Sequence, residues 1–246
     1  AEAGLTFIGP SPEVLTLFGD KAQAKQLAQR LGIVTAGGLD EPSDDVDTLL
    51  RALSPLPRPC ILKAVAGGGG KGMRVLREGD DARAAIEAAI REGRSAFGDG
   101  RLIAERYLGG PRHIEVQILG DGRGQVMHLW DRECSLQRRF QKVVEEAPAT
   151  SISQALRERL QAQAVALGQA VNYLGLGTVE FAVSGEEAVF LEVNPRLQVE
   201  HTVTESVTGL DLVALQIRTV HDGYLPFSEA ERPTPRGYDL ITIYDD

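Results

Sequence analysis

Cysteine is nearly absent from this chain. Its 246 residues include two, Cys60 and Cys134, which fit neither a disulfide framework nor a CxxC metal pattern. Cys60, inside an apolar stretch, reads as a small core residue. No apolar run approaches the length of a membrane span, and no basic-then-apolar leader is present, so a cytoplasmic protein with no membrane partner is the expectation. An excess of positive charge is also missing. The formal net charge of −9 argues against nucleic acid as the main partner. It leaves room for a local anion site, because a few converging Lys and Arg side chains set the field around them. No Met stands at position 1, and the chain reads as a piece of a longer protein. What remains, 43% apolar and 25% charged residues, is the ordinary mix of a soluble globular enzyme.

The most informative stretch runs from Thr178 to His201. Gly177 to Val183 and Ala188 to Asn194 alternate apolar and polar residues, as half-buried strands do. The turn signal between them predicts an antiparallel hairpin. A loop of Gly185 to Glu187 would set Val183 opposite Val189, Phe181 opposite Leu191 and Val179 opposite Val193. The same register sets Glu180 opposite Glu192. Facing like charges are destabilising, and a divalent cation reverses the sign: two carboxylates with the amide oxygen of Asn194 form a hard-oxygen site suited to magnesium. The bland alternative is two glutamates splayed into solvent. Beyond the hairpin, Glu192, Asn194, Arg196, Gln198 and Glu200 recur every second residue, so an extended chain would present them as one polar row. Arg196 is suited to clamp a planar oxyanion and Glu200 to accept a proton. His201 falls out of phase and reads as a packing histidine.

Ahead of this stretch, Ser11-Pro12-Glu13 opens a helix whose apolar spacing continues to Leu31-Gly32. Lys21 lies on it and alone means little. Lys63 interrupts a buried strand from Cys60 to Val65, a costly place for an ammonium unless it meets an anion. The anion would lie beside Ala66 to Met73, where four glycines before Lys71 let backbone N–H groups close around phosphate oxygens. No Ser or Thr follows Gly-Lys as a Walker A loop requires, and a strand rather than a helix follows, which disfavours a dinucleotide fingerprint. A strand, glycine flap and strand folding over a nucleotide remain. Helices are expected over Asp80 to Ser95, Ser153 to Leu174 and Thr208 to His221, and strands over Leu102 to Leu108, His113 to Leu119 and Gln125 to Trp130. Glu105 either accepts from an adenine amine or is a plain edge-strand glutamate. The charge run Asp131 to Lys142 reads as a half-solvated face with Lys142 pointing inward.

These residues together resemble the biotin carboxylase family of ATP-grasp enzymes. The match is carried by Gly19-Asp20-Lys21, Lys63 with its glycine flap, Glu105-Arg106-Tyr107-Leu108, Pro111 to Glu115, Gln137-Arg138-Arg139, Gln141 to Pro148 and, most specifically, Glu192-Val193-Asn194-Pro195-Arg196-Leu197-Gln198-Val199-Glu200-His201. The resemblance implies an α+β (α/β) ATP-grasp fold, with a linker helix over residues 1–34, a glycine-flap subdomain over 35–107 and a mixed or antiparallel sheet subdomain with helices over 108–246. It also implies carboxylation of biotin on a carrier protein or domain by carboxyphosphate, made from bicarbonate and ATP with magnesium (or manganese), next to a carboxyltransferase. Lys21, Lys63, Gly69, Gly70, His113 and Gln137 would contact ATP, and Glu105, Arg106, Tyr107 and Leu108 would seat the adenine. Glu180, Glu192 and Asn194 would bind the metal. Lys142, Arg196 and Val199 would hold bicarbonate, and Glu200 would deprotonate it. Phe140 stands where relatives often carry His or Asn. Asp239 to Asp246 departs from the family's next strand, with Ile243 near the place of a biotin-side arginine. Rival readings are another ATP-grasp ligase forming an acyl phosphate, and a nucleotide-binding module without turnover.

Overall fold

The computed structural model describes residues 4–39, 41–67, 71–138 and 141–242. The chain starts with two short helices, α1 (Pro12–Gly19) and α2 (Lys21–Arg30). The single helix expected up to Gly32 is broken at Asp20, whose extended backbone frees its carboxylate to accept from the N–H groups of Ala22 and Gln23 and so cap a second helix. Next comes an antiparallel three-stranded sheet, β1 (Cys60–Ala64), β2 (Met73–Leu76) and β3 (Leu102–Arg106), in the order β2-β1-β3. Helices α3 (Val46–Leu53) and α4 (Ala82–Phe97) cover one face, and Leu49, Leu62, Ile86 and Leu102 form its own small core.

The larger sheet has six antiparallel strands: β4 (Arg112–Asp121), β5 (Val126–Arg138), β6 (Gln141–Ala147), β7 (Leu174–Ser184), β8 (Glu187–Asn194) and β9 (Asp239–Thr242). Their order is β8-β7-β4-β5-β6-β9. Helix α5 (Gln154–Gln169) packs on β4 and β5, and Ile114, Val116, Val179 and Phe181 meet Leu160 and Leu167 in the main core. Two further helices, α6 (His201–Thr208) and α7 (Leu212–Asp222), pack against the strands through separate apolar clusters. All ladders between these strands are antiparallel, and one parallel bridge joins Thr35 to Phe190. The architecture is α+β.

Several expected boundaries move. Helix α5 ends at Gln169, and Leu174 already belongs to β7. The helix expected to start at Thr208 starts at Leu212 as α7, and Thr208 instead ends α6, which Gly209 at φ +73° stops in the left-handed conformation that glycine tolerates. The charge run divides as expected: Leu136, Arg138 and Gln141 are exposed, and Lys142 is turned into the cleft lining. Asp131, Arg132, Glu133 and Cys134 are all buried within β5, and each charge is matched: Asp131 accepts from Arg157, Gln161 and the Ala149 N–H, and Glu133 from Arg112. Asp239–Thr242 forms strand β9 beside β6. Ile243 to Asp246, together with Phe140, lies outside the described residues.

Candidate active site

A cleft of about 870 Å³ separates the two sheets, lined from one side by Lys21, Lys63, Glu105 and Tyr107 and from the other by His113, Lys142, Glu180, Glu192 and Asn194. The β7–β8 hairpin forms its floor, and Glu180 does face Glu192 there, with Val179 opposite Val193 and Thr178 opposite Asn194. The upper half of the expected register is wrong by one residue. A bulge follows Glu180, so Phe181 pairs with Phe190, Ala182 with Val189 and Val183 with Ala188, and the turn is Gly185-Glu186. The bulge brings the Phe190 ring into the core, 6.4 Å from Phe181 and edge-on, and leaves Leu191 on the cleft.

Register extends the facing pair into a line across four strands: Arg132 of β5 opposes Glu115 of β4, Glu115 opposes Glu180 of β7, and Glu180 opposes Glu192 of β8. Three carboxylates abreast require cations, and the structure supplies them. Fully buried Arg132 donates to Glu115 at 3.1 Å, to Gln117 at 2.8 Å and to Thr204 at 3.0 Å. Lys142 reaches Glu115, Glu180 at 3.1 Å and Glu200 at 2.6 Å. Glu180 accepts in addition from Asn194 at 2.7 Å and Gln198 at 3.1 Å, and His113 Nε2 lies 2.8 Å from it as an ion-pair partner. Burial works to raise the Glu180 carboxyl, but His113 and Lys142 hold it well below the usual carboxylate range. Burial also opposes charge on His113 and Lys142, and the surrounding carboxylates outweigh it and raise both. Glu192 is raised by burial and by Glu180, with Lys21 and Lys63 pulling the other way. A raised carboxyl beside an ionised one in a cleft rimmed by lysines is a donor set that a divalent cation would complete. The Asn194 amide now donates to Glu180, so it would have to turn over to present its oxygen to a metal.

The row after Asn194 is not extended. The strand ends there, and the chain turns so that Glu200 takes the N-cap position of α6. Gln198 and Glu200 are nevertheless buried against the carboxylate line, while Arg196 and Val199 are exposed at the cleft wall. Burial raises the Glu200 carboxyl, and the charge and hydrogen bond of Lys142 more than reverse it. The His201 Nδ1 lies 2.8 Å from the Gln198 carbonyl and holds the turn, as a packing histidine would.

On the opposite wall Lys63 meets its anion within the protein: Nζ lies 2.6 Å from Glu105, which also has Lys25 at 3.5 Å. That carboxylate is engaged by ammonium groups rather than poised as a lone edge-strand acceptor. Lys21 spans 46 positions of sequence to donate to the Gly67 carbonyl at 2.7 Å, which ties α2 to the start of the flap. Arg106 pairs with Glu187, and Tyr107 and Leu108 line the cleft. Gln137 donates to the Cys134 carbonyl at 2.8 Å and lies 3.0 Å from His113 Nδ1. Gly69 and Gly70 lie outside the described residues. Glu115, Arg132, Lys25 and Glu145 escaped the sequence reading. Glu115, two residues after His113 in a strand, could have been found by period-2 alternation. Nothing local signals the other three, which sit within strands or a helix and gain meaning only from tertiary neighbours.

Comparison with known proteins gives a consistent picture. Residues 20–226 match the family described as carbamoyl-phosphate synthase L chain, ATP binding domain. The chain is 46% identical to a biotin carboxylase of Halalkalibacterium halodurans over 244 residues, covering 99% of this chain and 54% of the relative. It is 43% identical to a pyruvate carboxylase of Bacillus subtilis, covering 98% of this chain and 21% of the relative. It therefore spans about half of the one and a fifth of the other. Among solved structures, the biotin carboxylase domain of Hydrogenobacter thermophilus 2-oxoglutarate carboxylase, in complex with MgADP, ADP and bicarbonate, superposes with a TM-score of 0.91 at 41% identity, over 97% of this chain and 53% of that one. A Campylobacter jejuni biotin carboxylase bound to β-γ-ATP gives the same values.

Proposed function

The chain belongs to the family of the carbamoyl-phosphate synthase L chain ATP-binding domain, in its biotin carboxylase branch with the ATP-grasp fold, and from that premise we propose that it phosphorylates bicarbonate with ATP and passes the carboxyl group to biotin on a carrier protein or domain. The observation that carries this reading is Lys142, which joins Glu200 to Glu115 and Glu180 in one buried network, so a candidate base lies beside candidate metal ligands at the cleft floor.

In this reading residues 35–107 form the flap side and 108–246 the catalytic side. Lys21, Lys63, Gly69 and Gly70 would contact phosphate oxygens, and Glu105 to Leu108 and His113 would contact the rest of the nucleotide. Glu180, Glu192 and Asn194 would hold magnesium, which when bound offsets phosphate charge. Lys142 and Arg196 would hold the bicarbonate anion with the backbone of Val199, and the exposed Arg196 guanidinium, which donates to the Leu197 carbonyl at 3.2 Å, would leave that contact to close on it as a planar fork. Bicarbonate oxygen attacks the terminal phosphorus, the bond to the bridging oxygen breaks, and the bicarbonate proton passes to Glu200. The resulting carboxyphosphate supplies the carboxyl group to the biotin ureido nitrogen. A carboxyltransferase would then receive the carboxylated carrier, in a cytoplasmic setting.

Phosphate release from MgATP, with and without bicarbonate and free biotin, tests the proposal in the full-length protein that carries this chain. Bicarbonate-dependent release stimulated by biotin is the expected result. Release that ignores biotin would assign the site to another acyl-phosphate-forming ligase, and nucleotide binding without release to a module that does no chemistry.

A further inference from the structure

One buried ionisable group beside the candidate base takes no part in the scheme so far. Glu145 lies in β6 with no solvent exposure, and neither carboxylate oxygen has a hydrogen-bond partner among the described residues. Its placement follows from a bulge. Lys142 pairs with Gln137, but the next register partner of β5, Leu136, pairs with Val144, so Val143 is the extra residue. That insertion shifts the alternation, and Lys142 and Glu145, three apart, face the same side of the sheet. The first turn of α6, with Glu200 at its N-cap, packs over this side.

The groups around Glu145 are Glu200 from α6, Glu115 from β4, Lys142 from its own strand and Arg132 from β5, and β9 sets Ile241 opposite it. Both cations are already committed, Arg132 to Glu115 and Lys142 to Glu115, Glu180 and Glu200. An orphaned buried carboxylate is costly, and its protonated form costs much less. Burial, then Glu200, then Glu115 push Glu145 up to about 7, whereas Lys142 holds Glu200 below the usual range.

We propose that Glu145 is the proton store behind Glu200. This rests on the reading of Glu200 as the base for bicarbonate. As the bicarbonate O–H bond breaks, its electron pair stays on the attacking oxygen and the proton joins Glu200, which weakens the Glu200–Lys142 ion pair. The proton then moves to Glu145: the O–H bond on Glu200 breaks as one forms on the ionised Glu145. Glu200 returns to its charged, Lys142-paired state, and Glu145 loses the charge it could not match. Between turnovers the proton leaves through the same two carboxyl groups to the cleft. Glu145 touches no substrate and acts only through Glu200.

The test compares Glu145→Gln, Glu200→Gln and wild type in the full-length protein. Glu145→Gln keeps the size of the protonated side chain, so the fold should persist. Bicarbonate-dependent ATP cleavage should drop on the order of tenfold, with KM for ATP and bicarbonate unchanged. The acid limb of the kcat–pH profile, expected near pH 7 in wild type, should disappear. A second readout needs no turnover: the carbon-13 carboxyl resonance of Glu145 should titrate near neutral pH and shift to a lower midpoint in Glu200→Gln, where a neighbouring negative charge is gone. A Glu145→Gln variant with wild-type kcat and pH profile, alongside an inactive Glu200→Gln, overturns the relay and leaves the role of Glu200 standing. If Glu200→Gln retains turnover, the assignment of the base fails first and the relay with it.

Discussion

Glu180 and Glu192 face each other as a pair, yet they are unequal partners. Glu180 is tied by His113, Lys142, Asn194 and Gln198, while Glu192 carries the raised carboxyl. Glu192→Gln removes a repulsion without breaking that network, so without metal it should melt at or slightly above the wild-type temperature and lose the stabilisation that magnesium nucleotide brings. Glu180→Gln should instead cost about 1–3 kcal/mol, because its amide group turns donors toward donors. Thermal melts with and without magnesium nucleotide separate the two; a full magnesium-dependent shift retained by Glu192→Gln would remove it from the metal site. Arg132 gives a second case. Arg132→Met leaves Glu115 buried with Lys142 and His113, the latter at 3.6 Å, as its remaining charge partners, so the loss should fall near the lower end of the usual range for a broken buried pair, roughly 3 kcal/mol. Urea unfolding measures it, and a change under 1 kcal/mol would mean that Lys142 and His113 suffice for Glu115.

At the scale of elements, the type of most segments was legible and the places where alternation slips were not. Period-2 and period-3.6 patterns located β1, β2, β7, β8 and α4 to within a few residues. The facing of Glu180 and Glu192 was also legible, because Val179 and Val193 fix the register below the bulge. Bulges themselves have no local signature: those beside Glu180 and at Val143 exist because Phe190 fits the core and because Lys142 and Glu145 share a side, both tertiary facts. Which half of the Asp131 to Lys142 run is buried was hidden for a related reason, since the charges of a run cannot be sorted into inward and outward until their partners are known. Close backbone approaches also leave testable traces. At Gly177 in β7 a methyl group would overlap the ring and hydroxyl of Tyr173, a fully buried residue whose hydroxyl donates to the Leu176 carbonyl at 2.9 Å. Gly177→Ala should therefore cost about 1–3 kcal/mol, whereas Gly19→Ala, at a helical position with open space around it, should be neutral or slightly stabilising. Equal denaturation midpoints for the two variants would contradict the packing.

At the scale of the whole molecule, the described residues form two sheets with separate cores, and the cleft lies between them. The smaller sheet has three strands and a core of its own, so without ligand its cheapest opening need not disrupt the larger sheet. Groups on both sides point into the cleft: Lys63 and Glu105 from the small sheet, Glu180, Glu192 and His113 from the large one. A nucleotide held by both sides binds only when both are formed, and it stabilises the smaller unit by mass action. At a hundredfold excess over Kd the gain is about 2.7 kcal/mol, close to a hundredfold in an opening constant. Native-state hydrogen exchange of this chain should therefore show the amides of β1 and β3 exchanging faster than those of β4 and β7 without ligand. Magnesium ATP should slow β1 and β3 by up to about a hundredfold and the large-sheet interior by less, because rarer global openings limit it. Magnesium ATP that protects β4 and β7 but leaves β1 and β3 unchanged would mean that the nucleotide is held by one wall alone, and Lys63 would lose its role as a phosphate contact.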